Sequence, residues 1–264
     1  MLAKLNALKQ RLADLQSVLV AFSGGADSLL LLVVARSVLE NRCCAVTASS
    51  ELFPQKEIKH AQAAAALFGV KHLIVQTTLL NNSAFCQNTR ERCYICKKML
   101  FSNFKELAMA HGLKHVVDGS HADDVLEVRP GKKAAQELSI LSPLEEAGLT
   151  KRDIRLLLKE FKLERWDRPS SPCLATRIQT YHQITVQQLR RIEEVEIFLR
   201  RSFDIKGHLR FRDWGSQSWI EVDKPEIIKI RSRADIDGTM KMLGCDLREV
   251  GLREYKPHGG STMT

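Results

Sequence analysis

Six residues, Ser23-Gly24-Gly25-Ala26-Asp27-Ser28, constrain this chain more than any other string in it. They directly follow the apolar run Val18 to Phe22 and directly precede SLLLLVVARSVL, so they form the turn between a strand and a helix. The backbone N–H groups of such a turn, and the positive end of the helix after it, converge on an anion. Gly24 and Gly25 permit the tight turn and the close approach of a phosphate. Ser23 and Ser28 add hydroxyl donors, and Asp27 is placed to hold Mg²⁺ against a departing pyrophosphate. No GxxxxGK[ST] string occurs, so attack at an α-phosphate is favoured over transfer of a γ-phosphate. The competing reading is a plain glycine turn with Ser28 capping the helix.

Further apolar or β-branched runs at Ala45 to Ala48, His72 to Val75 and Lys114 to Val117 alternate with helix-like segments. That order predicts an α/β fold with a doubly wound parallel sheet. Ligands of such sheets bind beyond the carboxyl ends of the strands, which singles out Ser23, Ser49, Thr77 and Asp118. The stretch Trp166 to Pro172 breaks the alternation and predicts a junction between a first domain, residues 1–168, and a smaller α+β domain, residues 169–264. In the second, the spacing predicts a helix from Val186 to Arg201 and paired strands at His208 to Arg212 and Trp219 to Val222. A helix near Pro225 to Arg233 and a strand near Leu247 to Val250 follow. This smaller domain is expected to serve substrate binding or self-association, and the chain to work as a homo-oligomer.

Forty Lys and Arg against 31 Asp and Glu leave a net charge of +9, which suits phosphates without saying whether a small nucleotide or a nucleic acid carries them. Basic residues are scattered and no RNA-binding module is evident, which disfavours nucleic acid. The N-terminal MLAKLNALKQRLADLQ reads as an amphipathic helix without the apolar centre of an export signal, and the longest apolar run, Leu29 to Ala35, is far short of the roughly 20 residues of a membrane span. A soluble cytoplasmic protein with reduced thiols is expected, so the seven cysteines read as packing, reactive or metal-bound groups rather than a disulfide framework. Cys93 and Cys96 are spaced so that two thiolates can reach one metal; an iron-sulfur cluster, zinc and an unmetallated thiol pair all fit that spacing. Cys43 and Cys44 lead into a predicted strand and are expected in the core. Cys86 is a candidate persulfide carrier.

Read in order, SGGADS, SSELFP, RCYICKK at Arg92 to Lys98, DGSHADD at Asp118 to Asp124, RPG at Arg129 to Gly131, SPLEEAGLTKRDIR and PCLATR at Pro172 to Arg177 resemble the PP-loop ATP-pyrophosphatases. Within these, RCYICKK combined with RPG and CLATR resembles the LarE family of sulfur transferases, which help build the nickel-pincer nucleotide cofactor. The resemblance implies the adenine nucleotide alpha hydrolase-like fold. It also implies an ATP- and Mg²⁺-dependent enzyme that adenylates a carboxyl group of a small nucleotide substrate, pyridinium-3,5-biscarboxylic acid mononucleotide, and converts it to a thiocarboxylate. Some members sacrifice a protein cysteine; the CxxC pair here resembles those that hold a 4Fe-4S cluster on three cysteines, with Cys173 matching the third and zinc as the rival occupant. The sulfur donor is left open.

The same resemblance assigns Lys97 to phosphate binding and Glu196 to an acidic position of the site, against solvated surface residues; Arg129 and Arg177 can make forked contacts with phosphate or carboxylate or form structural ion pairs, and Arg210 is a candidate for the substrate's phosphate or a strand arginine facing water. Asp118 and Asp124 are candidate partners of the nucleotide, its metal or its ribose, with turn capping as the alternative. One departure stands near the C-terminus, where EYKPHGG at Glu254 to Gly260 replaces the family's GYRxG and leaves an arginine role there unfilled. Two other enzyme classes share parts of this pattern: a tRNA thiolation enzyme of the same superfamily and an ATP-dependent amide ligase. A metal-binding regulator with a silent loop is a third alternative.

Overall fold

The computed structural model describes residues 1–126, 130–163, 171–214, 217–231, 240–241, 243–244 and 250–256. They fall into two compact units, Met1–Leu79 with Glu91–Ser171 and Leu80–Arg90 with Pro172–Thr264.

The first unit opens with helix α1 (Leu2–Leu15), strand β1 (Val18–Ala21) and helix α2 (Ala26–Leu39). Then come β2 (Cys43–Ser49), α3 (Gln55–Leu67) and β3 (Lys71–Gln76). After the excursion that carries α4 (Ser83–Cys86), the unit resumes with α5 (Arg92–Ala110), β4 (His115–Val117), α6 (Pro130–Glu137), α7 (Pro143–Glu146) and α8 (Lys151–Glu160). The strands form a parallel sheet in the order β3-β2-β1-β4. Leu141 lengthens its β4 edge by one parallel bridge to Val117.

Alternation along the strands sends neighbours to opposite faces. Val18, Val20, Cys43 and Ala45 join the core shared with α1, α2, α3 and α8, whereas Leu19, Cys44 and Val46 join the core shared with α5 and α6. The sheet is thus wrapped on both faces, as the sequence predicts. Helix α2 shows the driving force: Leu29, Leu30, Leu31 and Leu32 are all buried, because it lies between β1 and the outer helices α1 and α8. A helix apolar all round has to be buried on all sides. Each such leucine contributes roughly 1.5–3 kcal/mol relative to an exposed one. Cys43 and Cys44 belong to these cores, and burial, with Cys44 as its neighbour, pushes the Cys43 thiol up to about 12.

The second unit holds α4, α9 (Val186–Ser202), β5 (Leu209–Asp213), β6 (Ser218–Val222), α10 (Ile227–Arg231) and β7 (Gly251–Glu254). β6 pairs antiparallel with β5 and parallel with β7. The last strand begins at Gly251, just beyond the predicted Leu247 to Val250, of which residues 247–249 lie outside the described residues. Segment Leu80–Arg90 is tied here by its backbone: Cys86 O accepts from Ile184 N at 2.8 Å, and Asn88 O accepts from Tyr181 N at 2.9 Å. The Asn88 amide, fully buried, donates to Gln179 O at 2.8 Å.

Candidate active site

Within the first unit the chemistry gathers at the carboxyl ends of the strands. The turn after β1 runs through Gly24, whose φ of +74° lies in the left-handed region. A Cβ there would meet the Ala61 Cβ at 3.2 Å and the Glu57 carbonyl at 3.3 Å, so α3 requires glycine as much as the turn does. Gly25 caps α2 without a side chain, leaving the helix N-terminus open to an anion. Ser23 and Ser28 fold over this opening, their hydroxyl oxygens 3.2 Å apart, and the Ser28 hydroxyl also donates to Gly25 O at 3.2 Å. Ser28 is therefore inside the loop and acts on it, while also serving the start of the helix.

Strand β4 delivers the second half of the site. A Cβ on Gly119 would lie 3.0 Å from the Ser28 nitrogen and 3.4 Å from the Asp27 carbonyl carbon, so the backbone after β4 rests on the first turn of α2. That contact places Asp118 beside the phosphate loop. Asp118 is buried and accepts from Lys97 Nζ (3.2 Å), Ser142 Oγ (2.8 Å), and the Ser120 hydroxyl and amide (2.9 and 3.1 Å). Burial by itself raises its pKa, but the Lys97 charge and the three serine donors outweigh it and hold the carboxyl below its ordinary value. Asp118 thus stays ionised and aims Lys97, which directly follows Cys96 in the first turns of α5. The stem of Lys97 runs over Gly131, where a Cβ would meet its Cδ at 3.0 Å. The glycine of RPG makes room for the lysine of RCYICKK.

Asp124 accepts from the His121 amide at 3.1 Å and faces the His121 ring at 3.7 Å, in the turn that follows Gly119. Asp27 is engaged by a residue that the sequence reading did not single out: Lys151 Nζ lies 2.5 Å from both of its carboxylate oxygens. Arg129 falls outside the described residues.

In the second unit, Cys173 caps a short 3₁₀ turn, Leu174–Arg177. Arg177 is 2% exposed and holds Glu196 side-on, with Nε at 2.8 Å from one oxygen and Nη2 at 3.1 Å from the other. Its Nη1 donates to Pro172 O at 2.9 Å, to Cys173 O at 3.4 Å and to the Thr176 hydroxyl at 3.0 Å, so the guanidinium holds the backbone at Cys173. Burial alone raises the Glu196 carboxyl; Arg177 reverses that and depresses it, helped by the Phe211 amide at 3.0 Å. Arg210, on β5, is equally buried but differently placed. It donates to the Tyr255 hydroxyl at 3.3 Å and lies 5.1 Å over that ring, and among the described residues no carboxylate lies within ion-pair distance of it. Burial, then the Arg177 charge, lowers its pKa, and the opposing Tyr255 and Glu196 contributions do not offset them. Arg212, two residues on and on the same face of the strand, pairs with Glu221 at 2.8 Å and donates to Thr176 O at 2.6 Å.

The family model of the PP-loop domain matches residues 2–129. An uncharacterized protein of Synechocystis sp. is 39% identical over 84% of this chain and 82% of its own length, and one of Methanocaldococcus jannaschii is 32% identical over 96% of each. The pyridinium-3,5-bisthiocarboxylic acid mononucleotide synthase of Lactiplantibacillus plantarum is 36% identical over 75% of this chain and 72% of its own. This chain belongs to the LarE family of PP-loop ATP-dependent sulfur transferases.

As a LarE-family enzyme it binds ATP with Mg²⁺, and the open α2 N-terminus, the glycines of the loop and Asp27 fit that requirement. The glycine contacts bring Ser23, Gly24, Gly25, Asp27, Ser28, Asp118 and Lys97 together in one unit. Arg177, Glu196, Arg210 and Cys173 belong to the other, with Cys93 and Cys96 in the first. Within each unit, among the described residues, no three His, Cys, Asp or Glu side chains are grouped to hold a metal ion. Sequence reasoning missed Lys151, Ser142 and Arg212. Two signals were present for them: Lys151 and Ser142 belong to the quoted string SPLEEAGLTKRDIR, and Arg212 repeats Arg210 at strand period. No helix among the described residues is long and apolar enough to cross a membrane.

Proposed function

We propose that this LarE-family chain adenylates a carboxylate of pyridinium-3,5-biscarboxylic acid mononucleotide and replaces the adenylate by sulfur, giving a thiocarboxylate for the nickel-pincer cofactor. A carboxylate is a poor electrophile. In the first step a substrate oxygen attacks the α-phosphorus of ATP, the bond to the bridging oxygen breaks and pyrophosphate leaves. In the second, a sulfur nucleophile adds to the acyl carbon and AMP departs with the carbon–oxygen bond.

The observation that carries the reading is the seat of Gly119 on Ser28 and Asp27, because it sets an ionised carboxylate, Asp118, and its Lys97 ammonium beside the phosphate loop. Lys97 then stabilises negative charge on the phosphates, and Asp27 holds Mg²⁺. Arg210 supports recognition of a phosphorylated substrate, being a buried guanidinium with no carboxylate at ion-pair distance among the described residues. Arg177 and Glu196 hold the Cys173 turn in shape.

Cys93, Cys96 and Cys173 are the thiols that would hold a 4Fe-4S cluster, with zinc as the rival. Their donor chemistry fits: Cys93 is exposed, and Cys96 and Cys173 are half-buried. Such a cluster, when bound, supplies an iron able to present sulfide. The smaller domain, on this reading, carries substrate recognition, and the working form is a cytoplasmic homo-oligomer.

The test is ATP-dependent release of pyrophosphate and AMP with the mononucleotide, together with iron, sulfide and zinc counted per anaerobically purified chain. Release that depends on the mononucleotide, with about four irons per chain, supports the reading. Release that depends on tRNA instead would identify a tRNA thiolation enzyme, release that needs ammonia an amide ligase, and no release with any of them would defeat the adenylation chemistry.

A further inference from the structure

Lys151 stands at the first position of α8, and its surroundings divide it into a fixed half and a movable half. The backbone is pinned. Its amide donates to Asp123 Oδ2 at 2.7 Å, and the preceding residue, Thr150, shares a reciprocal capping box with Asp153. Ile154, Leu157 and Leu158 are fully buried in the same core as Leu29 to Leu32 of α2, so α8 is packed onto the helix that carries the phosphate loop. The side chain has no comparable restraint. Its Nζ bonds to Asp27 and the residue is a third exposed.

That ammonium contacts both oxygens of Asp27, each at 2.5 Å. A Mg²⁺ ion binds carboxylate oxygens at roughly 2.0–2.1 Å and brings its own shell of waters, so it cannot enter while Nζ spans the pair. Ammonium and metal therefore compete for one seat. When a metal–nucleotide complex binds, the triphosphate adds more negative charge than one Mg²⁺ neutralises, and a displaced Lys151 is anchored within side-chain reach of it.

We infer that Lys151 is a stand-in cation for the phosphate loop: it neutralises Asp27 until Mg²⁺ arrives, and on displacement gives its ammonium to the pyrophosphate leaving group. The inference rests on the reading that Asp27 holds Mg²⁺. A point charge on a flexible stem suits the exchange, because lysine can trade one anion for another without losing a fixed fork of hydrogen bonds.

Two measurements on the full chain test it. The first uses Lys151→Gln, with folding checked by thermal unfolding. Without nucleotide, the variant should bind Mn²⁺ alone about ten-fold more tightly than the parent, while Mg-pyrophosphate should bind about ten-fold more weakly. A merely structural loss would weaken both. Equal or weaker Mn²⁺ binding, or unchanged pyrophosphate binding, overturns the inference. The second needs no variant: acetylation of the Lys151 amine, followed by mass spectrometry, should quicken when Mn²⁺ is added alone and slow when Mg-pyrophosphate is added. Rates insensitive to both ligands, in a parent that demonstrably binds them, sink the role of Lys151 and leave Asp27 intact. A parent that binds neither Mn²⁺ nor Mg-pyrophosphate overturns both the inference and the metal role of Asp27.

Discussion

Arg177 meets Glu196 side-on, two nitrogens against two oxygens at 2.8 and 3.1 Å, with both residues buried or nearly so. Removing one partner of such a pair leaves the other charge buried and uncompensated, at a cost of about 3–5 kcal/mol. Glu196→Ala is therefore expected to lower stability on that scale in urea unfolding and to loosen the Cys173 turn, since Arg177 also holds Pro172 O. A loss below about 1 kcal/mol, with substrate binding abolished, would place Glu196 among the substrate contacts instead.

Gly119→Ala tests the contact that assembles the nucleotide site. Its new Cβ would stand 3.0 Å from the Ser28 nitrogen, a backbone atom that moves only with the first turn of α2. Affinity for ATP should fall about ten-fold or more, because a shift of that turn re-aims the amides that bind phosphate. Unaltered ATP affinity would show that the site tolerates the displacement. Gly24→Ala should cost stability as well, roughly 1–2 kcal/mol for the left-handed backbone before its approach to Ala61 is counted.

Asp118→Asn removes the charge that aims Lys97 and keeps the shape. ATP-dependent pyrophosphate release should drop at least ten-fold with little change in stability, since the amide oxygen can still accept from the Ser142 hydroxyl and the Ser120 backbone amide. Release at the parent rate would confine Asp118 to a turn-capping role.

The thiols should react unequally with an alkylating reagent in folded, metal-free protein near pH 8. Cys93 is exposed and should be modified, whereas Cys43, buried and with its thiol pushed up to about 12, should resist until the chain unfolds. Modified peptides identified by mass spectrometry check both halves. Reconstitution with iron and sulfide should then shield Cys93, and an undiminished rate after iron uptake would remove it from the cluster.

Asp153 gives a pH dependence. The Lys4 ammonium and the Thr150 amide hold its carboxyl down to about 2, so its folded pKa lies below the unfolded one. The corresponding stability is present above the ordinary carboxylate range and is lost as pH falls toward 2. Asp153→Asn should accordingly differ most from the parent in urea unfolding near pH 6, with the gap narrowing steadily toward pH 3. A gap independent of pH would show that the carboxylate charge does not contribute.

Read from the chain alone, β1, the phosphate loop and α2 are unambiguous, because strand, turn and helix signals lie within some twenty consecutive residues and agree with one another. The parallel sheet was legible for a similar reason: apolar runs alternate with helical ones, and parallel strands require such crossovers. Helix α9 and the β5–β6 pair follow from periodicity in the same way, and the motif strings carried the family. What the sequence could not decide is which motifs touch. Gly119 against Ser28, Gly131 against Lys97, and Lys151 on Asp27 join residues between 34 and 124 positions apart, and the Leu80–Arg90 segment leaves its sequence neighbours to pack with the second unit. Local propensity reports only on a residue's neighbours in the chain. Whether Arg177 faces a ligand or Glu196, and whether Arg210 meets a carboxylate or lacks one, is fixed by burial and by which side chains the folded backbone brings within a few ångströms, and tertiary packing alone sets both.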